Sequence, residues 1–137
     1  MDAMVVPLVY TPKGRSGMLA HMSAEKDCLF CKIVAGDIEA DVVHESRTTV
    51  AFRDLNPQAP THVLVVPRSH YPDAAALAEG EPGTAVDLFE AAKAIAAEAG
   101  LGEGYRLVFN TGAAAHQTVF HAHMHVLGGR AMTWPPG

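Results

Sequence analysis

The chain has 137 residues, which is enough for one domain of ordinary size and too few for two. Hydrophobic residues make up 49% and charged residues 18%, so a buried core is easily supplied. The net charge of −5 argues against nucleic-acid binding through phosphate electrostatics, and no apolar run approaches the roughly 18 residues of a membrane span. We therefore expect no nucleic-acid or membrane partner. We also expect a cytoplasmic protein, because the N-terminus, which begins Met1-Asp2, lacks the basic region of a signal peptide.

The first part of the chain is punctuated by turn-forming residues, among them Pro12 and Gly14. We interpret residues 1–23 as an N-terminal extension and residues 24–137 as one domain. Cys28 and Cys31 then form a C-x-x-C pair. In a reducing compartment this spacing indicates metal binding or redox chemistry, although cysteines also serve as small apolar residues of a helix.

The rest of the chain contains short apolar runs, which predict strands, and segments with helical periodicity, which predict helices. A short helix is predicted over residues 28–35, with Asp27 as its N-cap and Gly36 at its end. Strands are predicted at residues 41–44, 48–54, 62–67, 105–110 and 118–127, and a long helix at residues 84–99. The apolar face of this long helix comprises Ala85, Leu88, Phe89, Ala92, Ile95, Ala96 and Ala99. The pattern predicts an α+β domain on a five-stranded antiparallel sheet, with one long and one short helix.

Histidine is concentrated in the last predicted strand. His121, His123 and His125 alternate with apolar residues, and a strand places such residues on one face. Three neighbouring imidazoles would repel one another if protonated, unless something holds them neutral or supplies negative charge. A metal ion or a phosphate group would each supply what is needed.

Two functional hypotheses follow from the three histidines. In the first, the imidazoles bind a metal that keeps an open position for water, as in hydrolytic zinc enzymes. In the second, one imidazole attacks phosphorus while its neighbours orient it and bind phosphate oxygens. The first hypothesis leaves Cys28 and Cys31 unexplained, whereas the second needs further donors, for which the chain offers candidates.

The alternating histidines resemble the signature of the histidine-triad (HIT) superfamily. Two further segments resemble its Hint branch, the nucleoside phosphoramidases: residues 56–67, which begin Asn56-Pro57, and residues 128–137, which contain Trp134. The resemblance covers about residues 27 to 137. It implies the HIT fold, and a homodimer in which the sheets of two subunits join into one continuous sheet.

The resemblance also implies an activity. It points to a hydrolase or transferase that cleaves the P–N bond of purine nucleoside 5′-phosphoramidates through a nucleotidyl-histidine intermediate and releases the nucleoside monophosphate. His123 matches the nucleophile, His125 the histidine that holds a phosphate oxygen, and His62 the histidine that supports the hydrogen-bond network. Asn110 and Thr118 match polar positions that face the phosphate and the leaving group.

The same resemblance implies a nucleotide pocket. Asp54 matches the carboxylate that accepts both ribose hydroxyls. The apolar walls around the base match Phe30, Ile33, Phe52 and Leu55, for which simple core packing is the alternative role. Gln117 and Trp134 complete the implied nucleotide contacts, with Trp134 near the active site of the partner subunit.

A structural zinc ion is implied as the only cofactor, with no organic cofactor. Some bacterial members of the superfamily bind zinc at positions that match Cys28, Cys31, His70 and His121. Two thiolates and two imidazoles suit a closed tetrahedral site. Such a site would tie the first helix to the sheet next to the nucleophile.

One segment departs from the family pattern. Where the family usually has Gly-Gln-Ser, this chain has His116-Gln117-Thr118, which puts the substrate preference in doubt but not the reaction class. Two other functions remain open. One is a dinucleoside polyphosphate hydrolase, against which the ending at Trp134 argues; the other is a zinc-stabilised nucleotide-binding module with incidental turnover.

Overall fold

The computed structural model describes Glu25 and residues 27–137. The predicted N-terminal extension, residues 1–23, lies outside the described residues. Within the described part, no helix is long and apolar enough to cross a membrane.

The first helix, α1, spans Leu29–Ala35. Its N-cap is Cys28 and not Asp27 as predicted, because the Cys28 Sγ accepts a hydrogen bond from the backbone N–H of Cys31 at 3.3 Å. Gly36 ends the helix in the left-handed conformation (φ 85°), as the sequence predicts. The C-x-x-C pair therefore forms the beginning of a helix, with both sulfur atoms at the same end.

Five strands form one antiparallel sheet, which confirms the predicted fold class. They are β1 (Val42–Glu45), β2 (Thr49–Arg53), β3 (Thr61–Pro67), β4 (Tyr105–Val108) and β5 (Met124–Gly128). Their order across the sheet is β1-β2-β3-β5-β4, and every neighbouring pair is antiparallel. β3 and β5 therefore lie side by side at the centre, with Leu64 opposite His125.

The two faces of this sheet have different coverings. Val63 and Val65 of β3 and Met124 and Val126 of β5 belong to a buried cluster with residues of the long helix. The intervening Leu64 belongs to a second cluster on the opposite face. That second cluster comprises Phe30 of α1 with Val50, Phe52, Leu64 and Val66.

Two further helices connect β3 to β4: α2 (Ala74–Gly80) and α3 (Pro82–Glu98). The sequence prediction omits α2, although Asp73 supplies a cap signal and its Oδ1 accepts a hydrogen bond from Ala76 N at 2.9 Å. On α3, most of the predicted apolar face is buried, but Phe89 and Ala99 are exposed. Ala91, which was not predicted, is buried instead.

The last strand is shorter than predicted, and this changes the geometry of the three histidines. β5 begins at Met124, so only His125 lies within it, while His121 and His123 lie in the irregular segment before it. The prediction of one strand over residues 118–127 is wrong in its first half. Because strand alternation does not extend to His121 and His123, the three imidazoles do not share one flat face.

Candidate active site and metal centre

A cavity of about 310 Å³ opens on the face of the sheet that carries α1. It is mostly apolar, with Phe30 and Phe52 packed edge to face at 5.5 Å between ring centroids. Phe30 and Phe52 are both core residues and cavity walls, so the two roles expected for them coincide. Eight of the predicted site residues line the cavity: Phe30, Ile33, Phe52, Asp54, Leu55, Thr118, His123 and His125.

A chain of hydrogen bonds fixes the ring tautomers of two histidines on adjacent strands. The backbone N–H of Gln58 donates to Nδ1 of His62 at 2.9 Å, which leaves the proton of a neutral His62 on Nε2. This Nε2 lies 2.9 Å from Nδ1 of His125 and donates to it. The remaining proton of His125 is therefore on its Nε2, which is buried and has no hydrogen-bond partner among the described residues.

His123 has the opposite arrangement. Its Nδ1 lies 2.8 Å from the backbone carbonyl oxygen of His121, to which only an N–H can donate. A neutral His123 therefore carries its lone pair on Nε2. Its ring lies edge-on to Phe30 at 5.0 Å and 5.1 Å from the ring of His125. The cavity thus contains one imidazole with a free lone pair beside one imidazole with a free N–H.

Burial holds these rings neutral. It lowers the pKa of His125 to about 4, with a further contribution from repulsion by His123 and His62. Burial also lowers the pKa of His123 and of His62, and the nearby carboxylate of Asp54 opposes this change only in part. The repulsion expected between neighbouring imidazoles is thus avoided at pH 7 by desolvation.

Asp54 lies at the junction between the cavity and this hydrogen-bond chain. Its Oδ2 is 3.4 Å from Nε2 of His62, and its Oδ1 accepts a hydrogen bond from the backbone of Asn56 at 2.8 Å. Leu55, beside it, is 99% exposed at the mouth of the cavity. Arg130 donates to the carbonyl oxygen of Gln58 at 2.9 Å and so braces the loop that orients His62.

Of the predicted catalytic and nucleotide-binding residues, four do not line the cavity: His62, described above, and Gln117, Asn110 and Trp134. Gln117 is buried and its amide is occupied by backbone groups: Oε1 accepts from Gly112 N, and Nε2 donates to two carbonyl oxygens. This side chain braces the loop before Thr118 in place of the expected nucleotide contact. Asn110 is half-buried after β4, and Trp134 is 82% exposed near the end of the chain.

A second cluster includes His121, and in it the ligand atoms of Cys28, Cys31, His70 and His121 all fall within 4.8 Å of one another. Nδ1 of His121 is 3.3 Å from the sulfur of Cys28, 3.5 Å from that of Cys31 and 3.2 Å from Nδ1 of His70. Tetrahedral Zn²⁺ with Zn–S near 2.3 Å and Zn–N near 2.0 Å separates its ligand atoms by about 3.3–3.8 Å. The donor set and its spacing therefore fit a structural zinc ion.

Groups outside the four ligands orient them for a metal. Nε2 of His121 donates to the carbonyl oxygen of Pro67 at 2.9 Å, which turns its Nδ1 lone pair toward the sulfurs. The carboxylate of Glu25 lies 3.9 Å from Nε2 of His70, and the backbone N–H of Glu25 donates to the sulfur of Cys31 at 3.3 Å. Such outer partners are typical of metal-binding histidines. Sequence reasoning missed them because two of the three contacts use backbone atoms.

The alternative of a three-imidazole metal centre is not supported by the geometry. His121 directs its Nδ1 to the thiols, and its Nε2 is bound to the Pro67 carbonyl. Among the described residues, the groups whose ligand atoms converge do not include His121, His123 and His125 together. The triad is divided, with His121 in the metal cluster and the other two in the cavity.

Comparisons with known proteins agree with this architecture. The model of the HIT domain family matches residues 35–132. An uncharacterized HIT-like protein of Synechocystis is 45% identical over 82% of this chain and 98% of its own length. A 14 kDa zinc-binding protein of Zea mays is 41% identical over 85% of this chain and all of its own. The crystal structure of a HIT family hydrolase from Legionella pneumophila is 47% identical, with a TM-score of 0.78 over 81% of this chain and 100% of that one.

Proposed function

The chain belongs to the HIT domain family, and on that premise we propose that it hydrolyses the P–N bond of purine nucleoside 5′-phosphoramidates or of related acyl nucleotides. The reaction releases a nucleoside monophosphate through a covalent intermediate on His123. A mostly apolar cavity with Asp54 and two histidines on its lining supports a nucleotide as substrate, since it offers walls for a base and polar groups for ribose and phosphate.

The observation that carries this proposal is the pairing of ring tautomers in the cavity. Nδ1 of His123 donates to a backbone carbonyl, so Nε2 is the nucleophilic atom. Nε2 of His125 is buried without a partner among the described residues, and an unpaired buried N–H is costly unless a ligand completes it. A non-bridging phosphate oxygen is an acceptor that suits this N–H.

The chemistry then proceeds in two displacements at phosphorus. Nε2 of His123 attacks, a bond from phosphorus to this nitrogen forms, and the P–N bond of the substrate breaks as the departing nitrogen takes up a proton. His125 donates its Nε2–H to a phosphate oxygen that gains charge in the transition state. Water then attacks phosphorus, the bond to His123 breaks, and the proton lost by water balances the proton gained by the amine.

Zinc binding is the second part of the proposal. Cys28, Cys31, His70 and His121 would hold the ion, and the Zea mays relative named as a zinc-binding protein supports this choice of metal. A closed site of two thiolates and two imidazoles contributes folding energy and leaves no position for water. The ion is therefore proposed as structural, and the histidines of the cavity perform the chemistry.

We also propose that two copies pair along β4. This strand is an edge of the sheet, and Tyr105 in it is 41% exposed. Arg106 donates to the carbonyl oxygen of Thr133 at 2.9 Å, which keeps the segment before the exposed Trp134 close to the same edge. Edge pairing would extend the sheet across the dimer. Sedimentation velocity that gives a stable monomer would refute this arrangement.

The activity is tested by incubating the full chain with adenosine 5′-phosphoramidate and measuring AMP release, with intact mass spectrometry to detect an adenylylated protein. We expect turnover by the wild type, and loss of both turnover and adduct in His123→Ala. His44→Ala, which removes a histidine of β1 outside both sites, serves as the control. Absence of turnover in the wild type, or full activity in His123→Ala, would overturn the proposal. Turnover of a dinucleoside polyphosphate in place of the phosphoramidate would assign a different substrate to the same site.

A further inference from the structure

One residue, His121, belongs to both sites at once. Its Nδ1 faces the thiols of Cys28 and Cys31, and its backbone carbonyl oxygen accepts the hydrogen bond from Nδ1 of His123. The side chain of His121 is fully buried. A displacement of His121 would therefore move the carbonyl oxygen that accepts the hydrogen bond from His123 and fixes its tautomer.

Helix α1 forms a second connection between the same two sites. Cys28 and Cys31 lie at its beginning, and Phe30 between them packs edge-on to His123 at 5.0 Å and to His121 at 5.9 Å. Ile33 of this helix lines the cavity. A helix of 7 residues is not stable by itself, so its position depends on what attaches it to the sheet.

The end of β3 and the loop that follows it hold the same segment from the other side. The carbonyl oxygen of Pro67 accepts from Nε2 of His121, and that of Tyr71 accepts from Ala122 N at 2.7 Å. Between these two anchors lies His70, which is the third residue of the metal cluster to contact His121. The two anchors, one on His121 and one on Ala122, therefore lie on either side of His70, which a bound metal would fix.

His125 of the cavity and its partner His62 are held independently of the metal cluster. His62 receives its hydrogen bond from Gln58 N and donates to His125, and these contacts involve no member of the metal cluster. Removal of a metal is therefore expected to affect one imidazole of the cavity and not its neighbours. This difference separates positioning of the nucleophile from general loosening of the fold.

We propose that His121 is a positioning residue: a metal bound by Cys28, Cys31, His70 and His121 fixes the ring tautomer and orientation of the nucleophile His123 through the His121 carbonyl and through Phe30. The inference rests on the proposed function for the roles of the metal and of His123. It adds that metal occupancy controls the competence of the active site, although the metal does not contact the substrate.

The test uses full-length protein with ¹⁵N-labelled histidine, prepared zinc-loaded and after dialysis against a chelator. Long-range nitrogen–proton correlation spectra report the tautomer of each ring. In the loaded protein we expect His123 as a single Nδ1–H tautomer. In the metal-free protein we expect a mixture or an exchange-broadened His123 signal, while His62 and His125 keep their Nε2–H tautomers as internal controls. Circular dichroism of both samples monitors the overall fold.

A matched pair of variants makes the same test without a chelator. His70→Ala removes a ligand that does not line the cavity, whereas His44→Ala removes a β1 histidine outside both sites. We expect His70→Ala to reproduce the metal-free spectrum and to lower AMP release roughly 10- to 100-fold, since misplacement of a reacting group has effects of this size. His44→Ala should match the wild type in both measurements.

Several outcomes would overturn the inference. One is a His123 signal that is the same with and without metal, and another is metal-free protein with unchanged turnover. Equal loss of order at His62 and His125, or complete unfolding, would mean that the metal holds the whole fold and does not position one residue. The spectra do not depend on turnover, so a loaded protein that positions His123 but releases no AMP refutes the proposed function alone.

Discussion

Each histidine of the site takes its chemical role from the partner of its second ring nitrogen. His123 and His121 both donate to backbone carbonyls, through Nδ1 in one ring and through Nε2 in the other. The lone pair that remains is Nε2 in His123 and Nδ1 in His121. These free lone pairs suit the proposed roles of His123 as the nucleophile and of His121 as a metal ligand.

The role of His62 can be tested at this scale by His62→Gln. Glutamine removes the ring that receives the Gln58 N–H and donates to Nδ1 of His125. Because His125 is then free to adopt either tautomer, we expect the rate of AMP release to fall roughly 10- to 100-fold. AMP affinity should change little, since the cavity walls remain. The matched control is His44→Gln, and a wild-type rate in His62→Gln would contradict the assignment.

His116 adopts a backbone conformation that is unfavourable for a residue with a Cβ atom. Its φ is 70°, which makes it the one non-glycine residue with a positive φ among the described residues, and its side chain is exposed. The glycine usual in the family adopts this conformation without a steric penalty. The structure therefore gives a physical reason for the glycine of the family pattern.

Replacement of His116 by Gly should stabilise the protein. The left-handed conformation costs a residue with a Cβ about 1–2 kcal/mol, part of which is offset by the larger unfolded-state entropy of glycine. We expect the free energy of unfolding in urea to rise by about 0.5–1 kcal/mol in His116→Gly. His116→Ala keeps the Cβ and should show no such gain. An equal gain in both variants would mean that the imidazole, and not the backbone, is the source of the cost.

At the scale of elements, α1 combines two functions in one short helix. Its first turn supplies both thiols of the metal cluster, and its buried face supplies Phe30 to the cavity wall. The helix ends at Gly36, where the backbone turns into the left-handed region with open space around the position of a Cβ. The position where the helix ends therefore depends on the backbone conformation of Gly36 and not on packing around this residue.

A pair of glycine substitutions tests this termination. Gly36→Ala should lower the free energy of unfolding by about 1–2 kcal/mol, because alanine is strained at a φ of 85°. Gly83→Ala, in the first turn of α3, also has open space but no positive φ, and should raise it by about 0.5–1 kcal/mol. Urea unfolding measures both. Effects of the same sign would show that backbone conformation is not what distinguishes the two positions.

At the scale of the whole molecule, the sheet separates a structural face from a chemical face. α3 covers the first with aliphatic residues, while the second carries α1, the cavity and the histidines. His121 and His123 pack against Phe30 of α1, while His62 and His125 lie on the central strands β3 and β5. Burial therefore lowers the pKa of these imidazoles in the folded molecule, and their pKa returns to the ordinary value of 6.5 on unfolding.

This burial predicts how stability depends on pH. The pKa of His125 is about 4 in the folded protein, against an ordinary value of 6.5 in the unfolded chain. Between these values the unfolded chain binds more protons, so the free energy of unfolding should fall as the pH falls from about 6.5 to about 4. One imidazole contributes a slope of at most about 1.4 kcal/mol per pH unit.

Urea unfolding of the metal-free protein at several pH values between about 6.5 and about 4 measures how the free energy of unfolding changes with pH. The use of metal-free protein excludes a contribution from metal release. His125→Gln removes one of the titrating groups, so its slope should be smaller than that of the wild type. His62 and His123 account for part of what remains, because burial lowers the pKa of each of them as well. An unchanged slope in His125→Gln would contradict the role assigned to this ring.

The sequence by itself determined the fold class and singled out the histidines and cysteines that the structure brings together in two clusters. A continuous apolar run bounded by prolines predicted β3, and helical periodicity predicted α3, because both patterns are local features of the sequence. Gly36 was predicted to end α1 because glycine readily adopts the left-handed conformation that commonly ends a helix. The three histidines were conspicuous because their spacing has no simple packing explanation.

Only the tertiary structure decided how these histidines divide their roles. β5 begins at Met124, so His121 leaves the strand and turns toward the thiols of α1, which are about ninety residues away in the sequence. The tautomers depend on Gln58 N, on Pro67 O and on His121 O. Every residue other than proline carries the same backbone N–H and C=O, so these contacts have no sequence signature and appear only when the chain is folded.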